Sequence, residues 1–284
     1  MGDFDSFARL VAALRPWLGQ LVVVGGWAHR LHRFHHLANS PNYQPLRTAD
    51  TDLVFAPEEV LEGDLRAALR AAGFTEEFFG DYAPPATHYR LSEDNGGFYA
   101  EFLTPLLGSG TKRNGAPDAT ISKAGVTAQK LRYLELLLLA PWTVNVGADV
   151  GVPIESPLAL FVPNPSSFIV QKLLIHSSRP PAKQAQDVLY IHDTLELFGA
   201  KLDELRRLWL EEVRPRMPAK TANSAEAIAR ELFAEVSDTT REVARIPLDR
   251  KLSPEAVRQA CALGLQEVFP MQDRPPRRAK LAKV

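Results

Sequence analysis

Two aspartates set into an apolar run, Asp50 and Asp52 in Arg47-Thr48-Ala49-Asp50-Thr51-Asp52-Leu53-Val54-Phe55, impose the strongest limit on how this chain folds. Side chains two apart on a strand leave the same face, so both carboxylates project together from the sheet this segment joins. Two adjacent carboxylates repel, and one of them favours its neutral form unless a cation lies between them. A hard divalent ion is the natural partner. Mg²⁺ is commonly held by one or two carboxylates together with substrate phosphates. An isolated Asp-x-Asp also fits a strand end that emerges into solvent, so its surroundings have to discriminate.

Upstream, Leu21-Val22-Val23-Val24 has the continuous β-branched texture of a strand buried on both faces, and it ends in Gly25-Gly26. Trp27, Leu31, Phe34 and Leu37 or Ala38 then form one stripe of a predicted helix, with His29, Arg30, Arg33 and His36 on the opposite side. A glycine pair at this junction lets a phosphate chain approach backbone N–H groups, although a plain strand-to-helix turn fits it equally. Downstream, Phe98 to Leu103 reads as a strand carrying Glu101 among aromatic neighbours. A mid-strand acid in that setting is costly unless it meets a cation or water. Glycine pair, aspartate pair and Glu101 together define one candidate site.

The remaining periodicity predicts a short first helix capped by Ser6, a helix over 57–72, strands near 143–146 and 152–154, and helices over 168–176, 182–198, 202–213, 225–236 and 254–268. The expected fold class is α/β (α+β): a small mixed-sheet core over 1–163, then a helical domain over 164–284 that ends in a short basic tail from Arg274. With 45% apolar and 24% charged residues in 284, the chain can bury a sizeable core, which excludes disorder, collagen and coiled coil. Lys plus Arg (33) nearly balance Asp plus Glu (34), which argues against a uniformly basic nucleic-acid-binding surface. The single Cys261 makes neither an intrachain disulfide nor a cysteine zinc cluster, and the first residues lack the layout of a signal peptide. The longest apolar stretch, Leu136 to Trp142, falls far short of the ~20 residues of a membrane helix. The expectation is a cytoplasmic protein without a membrane partner.

The first predicted helix after residue 163 places Lys172 among Phe168, Ile169, Val170, Leu173 and Leu174. Its ammonium either snorkels outward or meets an anion, and Arg179 follows with a guanidinium fork suited to phosphate. Lys183 and Asp187 share a helix face, where a surface ion pair is the simplest account.

Taken in order, Gly25-Gly26, Arg47-Thr48-x-Asp50-x-Asp52, Lys172, Arg179, Lys183 and Gln186-Asp187 resemble the nucleotidyltransferase superfamily, the DNA polymerase β-like fold. The layout is similar to the AbiEii-type and MenT-type nucleotidyltransferase toxins and related stand-alone nucleotidyltransferases, over residues 20–198. Gln186 stands where those toxins carry a basic residue, and Tyr190 replaces a second acid. The resemblance implies that Asp50, Asp52 and Glu101 hold Mg²⁺ or Mn²⁺, and that Lys172 and Asp187 join them in catalysis. It implies that Gly25, Gly26, Arg47, Thr48, Lys172, Arg179 and Lys183 bind the NTP. The implied reaction moves an NMP to a hydroxyl of RNA, including a tRNA 3′ end, or of a protein, with a cognate antitoxin as a further partner.

Two rival classes remain in view. A non-catalytic nucleotide-binding or interaction module of the same fold would be marked by a lost acid, and all three are present. A glycosyltransferase using Asp-x-Asp normally places that motif after a longer nucleotide-binding region than the stretch before Asp50. If RNA is the acceptor, the face with His29, Arg30 and Arg33 and the tail from Arg274 are the concentrated basic features expected to meet phosphates; otherwise they are solvated surface.

Overall fold

The computed structural model describes residues 3–81, 83–91 and 97–270; the tail from Arg274 lies outside them. In chain order the first part contains α1 (Asp3–Ala13), β1 (Val22–Val24), α2 (Gly25–Leu31), β2 (Asp50–Val54), α3 (Leu65–Ala71), β3 (Phe74–Phe79), β4 (Ala86–Leu91), β5 (Tyr99–Pro105), β6 (Thr120–Lys123), β7 (Val126–Leu131), β8 (Trp142–Val146) and β9 (Leu158–Val162). The helices α4 (Pro165–Ile175), α5 (Pro181–Leu197), α6 (Leu202–Arg207), α7 (Ala219–Leu232), α8 (Asp238–Val243) and α9 (Pro254–Val268) follow. The chain is an α/β protein with a mixed sheet and a helical C-terminal part.

The sheet runs β3-β4-β5-β2-β1-β9-β8, with β7 pairing to β5 and β6 to β7. β1 is antiparallel to β2, and β2 is parallel to β5, which aligns Val24 with Asp52 and Asp52 with Glu101. Alternation then decides which face is core. Val23, Leu53, Phe102, Ala100 and Tyr89 point to one side, where they join Phe7, Trp27 and Leu10 in a large buried cluster. Val22, Val24, Val54 and Leu103 point to the other side and are covered by Leu134 and Leu137. The three acids share this second face just beyond its covered end. A third cluster holds the C-terminal helices together around Trp209, Phe198, Phe233 and Cys261.

Several elements differ from the sequence expectation. The helix over 57–72 shrinks to α3, capped by the Asp64 side chain on the Ala67 N–H at 2.9 Å. Lys123 Nζ donates to the carbonyls of Pro57 and Glu59, which ties that stretch to β6 instead of letting it coil into a helix. The helix after Gly25-Gly26 ends at Leu31 and tightens to a 3₁₀ turn through Phe34. α1 begins before Ser6, which is buried inside it rather than capping it. Residues 152–154 form no strand, whereas β3, β4, β6, β7 and β9 arise where no strand was expected. The segment after α6 continues as a π-helix, Leu208–Val213.

The side of α2 expected to face solvent is buried: His29 is 1% exposed and Arg30 6%. α2 is wedged between α1 and the C-terminal helices. Trp27 stacks on Phe7 with centroids 4.1 Å apart, and Arg30 lies 4.2 Å over Trp27 and 4.7 Å over Phe4. On the other flank, His29 packs 5.1 Å from Tyr190 and His32 Nε2 meets the Pro163 carbonyl at 2.7 Å. Polar side chains here are spent on packing, so these residues offer no basic face for RNA. No helix among the described residues is long and apolar enough to cross a membrane.

Candidate active site

The parallel register of β2 and β5 brings Asp50, Asp52 and Glu101 together with one carboxylate oxygen of each within 4.8 Å of the others. Burial, then the charge of Glu101 and its hydrogen bond, push the Asp52 carboxyl well above the ordinary carboxylate range. Burial also opposes ionisation of Glu101, yet hydrogen bonds from His88 and Asp52 outweigh it and hold Glu101 below its usual value. His88 Nε2, paired across β4 and β5, stands 3.2 Å from Glu101 Oε2. The result is one acid biased toward its protonated form beside one biased toward its ionised form. Such a pair, completed by Asp50, is a donor set that a divalent cation replaces a proton to join, and the three oxygens fit one.

Gly25 lies directly against this set, and Gly26 follows it beside Thr48 and Tyr190. Gly25 has φ +64° and its missing Cβ leaves room for Asp52 Oδ2, which a side chain would overlap. At Gly26 a Cβ would fall 2.6 Å from Thr48 Cγ2 and 2.7 Å from the Tyr190 hydroxyl. The glycine pair thus lets β1, the Thr48 turn and α5 converge on one point.

Lys172 and Asp187 come together from α4 and α5 as a buried ion pair, Nζ to Oδ1 2.7 Å, with side chains 8% and 2% exposed. Lys172 lies close enough to favour ionisation of Asp52. Arg179 Nε reaches Asp187 Oδ2 at 3.3 Å, and this partner, rather than Lys183, completes the cluster. Lys183 is exposed and forms no ion pair with Asp187. Arg47 is exposed beside a cavity of about 260 Å³ also walled by Leu189, Asp193, Ile246 and Arg250.

The segment that delivers Arg47 and Thr48 is clamped. The Tyr43 hydroxyl donates to Glu196 at 2.6 Å, the Gln44 N–H to Asp249 at 2.7 Å, and Arg250 Nη2 to Asp193 at 2.5 Å. His192, Asp193 and Glu196 also group their ligand atoms, but Arg250 already supplies the cation there.

A family model described as nucleotidyltransferase matches residues 3–224. The chain belongs to the nucleotidyltransferase family. A search of curated proteins finds no match. Membership makes this nucleotidyltransferase an enzyme whose substrate is an NTP, and the acidic triad supports dependence on a divalent metal. It also removes the reading of Asp-x-Asp as a glycosyltransferase motif.

Sequence reasoning passed over three residues at this nucleotidyltransferase site. Tyr190, read as a lost acid, puts its hydroxyl under Gly26 within hydrogen-bond reach of Gln186 Nε2 at 3.4 Å. His88 reaches the triad only through strand register, whereas Tyr99 shares the face of Glu101 by simple alternation along β5. His88, two strands from the Asp50 and Asp52 strand, leaves no signal in its local sequence.

Proposed function

We propose that this nucleotidyltransferase moves an NMP from an NTP to a terminal hydroxyl of RNA, including tRNA 3′ ends, and acts as an AbiEii/MenT-type toxin held in check by a cognate antitoxin. The observation that carries the reading is a cation set beside the acids: Asp50, Asp52 and Glu101 group on the sheet, Lys172 of α4 lies close enough to act on Asp52, and Arg179 in the turn before α5 joins Lys172 through Asp187. A protein hydroxyl is the second acceptor class. The proposed division is a nucleotidyltransferase-like core over 1–163 and a helical domain over 164–284, with the site between them.

In this reading Asp50, Asp52 and Glu101 hold Mg²⁺ or Mn²⁺, which when bound lowers the pKa of an acceptor hydroxyl and offsets phosphate charge. Gly25 and Gly26 leave the backbone open to the triphosphate beside Asp52. Asp187 holds Lys172 in place, so the ammonium meets charge that builds on the leaving pyrophosphate without reorganising. Arg179, whose side chain is 38% exposed, can turn to the outer phosphates. Arg47 and Lys183, both exposed, complete the phosphate contacts, and Thr48 sets the turn into β2. His88 keeps Glu101 oriented toward Asp52.

Each radiolabelled NTP incubated with the protein, Mg²⁺ and total RNA tests the reading, with lysate protein as a parallel acceptor. Metal-dependent label on RNA that disappears in the Asp50→Ala variant supports it. Label on protein alone overturns the RNA acceptor. Growth arrest by the wild type and its loss in Asp50→Ala test the toxin role.

A further inference from the structure

The face of the sheet that carries the acids also carries a column of rings. Tyr99, in register with Asp50, lies 5.0 Å from the His88 ring with 20° between the planes. His88 in turn lies 4.9 Å from the Phe79 ring at 17°. The Arg90 guanidinium covers Tyr99 at 5.7 Å and is held by Glu77 at 2.8 Å. The column therefore starts beside the triad on β5, crosses β4 and ends on the outer strand β3, where Phe79 is 58% exposed.

Its direction is informative. Sheet order places Gly25-Gly26 on the β1 side of the triad, whereas the column runs the opposite way, from Glu101 outward over β4 and β3. Strands lie about 4.8 Å apart, so Phe79 stands about 10 Å from the β5 acid. We propose that Phe79, His88 and Tyr99 form a stacking platform for an unpaired base near the reacting end of the RNA acceptor. This rests on the RNA reading above and names the surface that seats it. His88 spends its two ring faces on Phe79 and Tyr99, so the base adds to the column at the outer, exposed ring of Phe79, and because every base offers a π-face it does so without its sequence being read. The acidic triad on the same face repels a dense phosphate array, which favours one unpaired strand over a duplex.

The test replaces Phe79, whose exposure spares the core. Phe79→Leu keeps an apolar side chain and removes the aromatic face, while Phe79→Trp keeps that face. The probe is a single-stranded oligoribonucleotide with a free 3′ hydroxyl and 2-aminopurine near that end, titrated in EDTA; label transfer to the same RNA with Mg²⁺ gives the acceptor KM. Phe79→Leu is expected to weaken binding and raise acceptor KM by about 5- to 100-fold, the effect of one lost base–aromatic stack. Phe79→Trp is expected to restore both, and a blunt duplex of the same sequence to bind more weakly than the single strand. RNA labelled normally by Phe79→Leu overturns the platform and leaves the RNA reading standing. Equal losses in the Leu and Trp variants also overturn it, as does transfer to protein with none to RNA, which overturns the RNA reading too.

Discussion

Gly25 lies so close to Asp52 that a Cβ added to the glycine would overlap the aspartate Oδ2. Since Gly25 also has φ +64°, alanine there meets both a clash and a left-handed backbone that costs about 1–2 kcal/mol. Gly25→Ala is expected to lower Tm and to lose metal-dependent transfer. Gly199→Ala, with no atom within 4 Å of its new Cβ, should leave both unchanged. Thermal melts and label transfer on the two variants check the contrast.

Asp52→Asn should abolish transfer yet stabilise the metal-free fold at neutral pH. Burial and Glu101 raise the Asp52 pKa, so the folded protein prefers the protonated carboxyl, and stability falls as pH rises from the ordinary carboxylate range through the raised value. An amide carries no such dependence. Melts in EDTA between pH 5 and 8 should show a higher Tm for the variant, with the gap widening toward high pH. Turnover within about tenfold of wild type would refute the assignment of Asp52.

Lys172→Ala leaves Asp187 with its closest charge partner gone, and breaking a buried pair from one side costs about 3–5 kcal/mol. The single variant is therefore expected to be unstable as well as weak for NTP. The paired change Lys172→Met with Asp187→Leu should recover the fold without recovering NTP affinity. Calorimetric titration with each NTP, alongside melts, separates the two effects; wild-type affinity in the paired variant would return Lys172 to a structural role.

His29 and His32 are held neutral by burial, with pKa values lowered to about 3 and about 4. The unfolded chain takes up these protons as pH falls below 6.5 and the folded chain does not, so stability present above that value is lost on acidification. Each ring contributes a slope of about 1.4 kcal/mol per pH unit between 6.5 and its folded pKa. Urea midpoints at pH 7 and pH 5 should show the loss. His29→Leu should make it shallower.

The local sequence was enough wherever chemistry repeats with a short period. The β-branched run ending in Gly25-Gly26 became β1 and α2, the alternation around Asp50 and Asp52 became β2, and the helices predicted over 168–176 and 182–198 became α4 and α5, which carry Lys172 and Asp187. Those patterns are set by neighbours one to four residues away, which is why they could be read. β3 could not be read that way. Phe74-Thr-Glu-Glu-Phe-Phe mixes exposed aromatics with acids, and it is a strand because six residues pair with β4.

What the sequence alone determined was that Asp50 and Asp52 leave one face together, since strand geometry requires it. What tertiary structure decided was their company. Parallel pairing of β2 with β5 set Glu101 opposite Asp52, and antiparallel pairing of β4 set His88 opposite Glu101. Packing of α2 against α1 and α5 buried His29 and Arg30, although their polarity alone pointed to solvent. Lys172 found Asp187 across two helices, while Lys183, on the same helix face as Asp187, did not. Partners of this kind depend on register and helix packing between residues far apart in the chain, and no local periodicity encodes those distances.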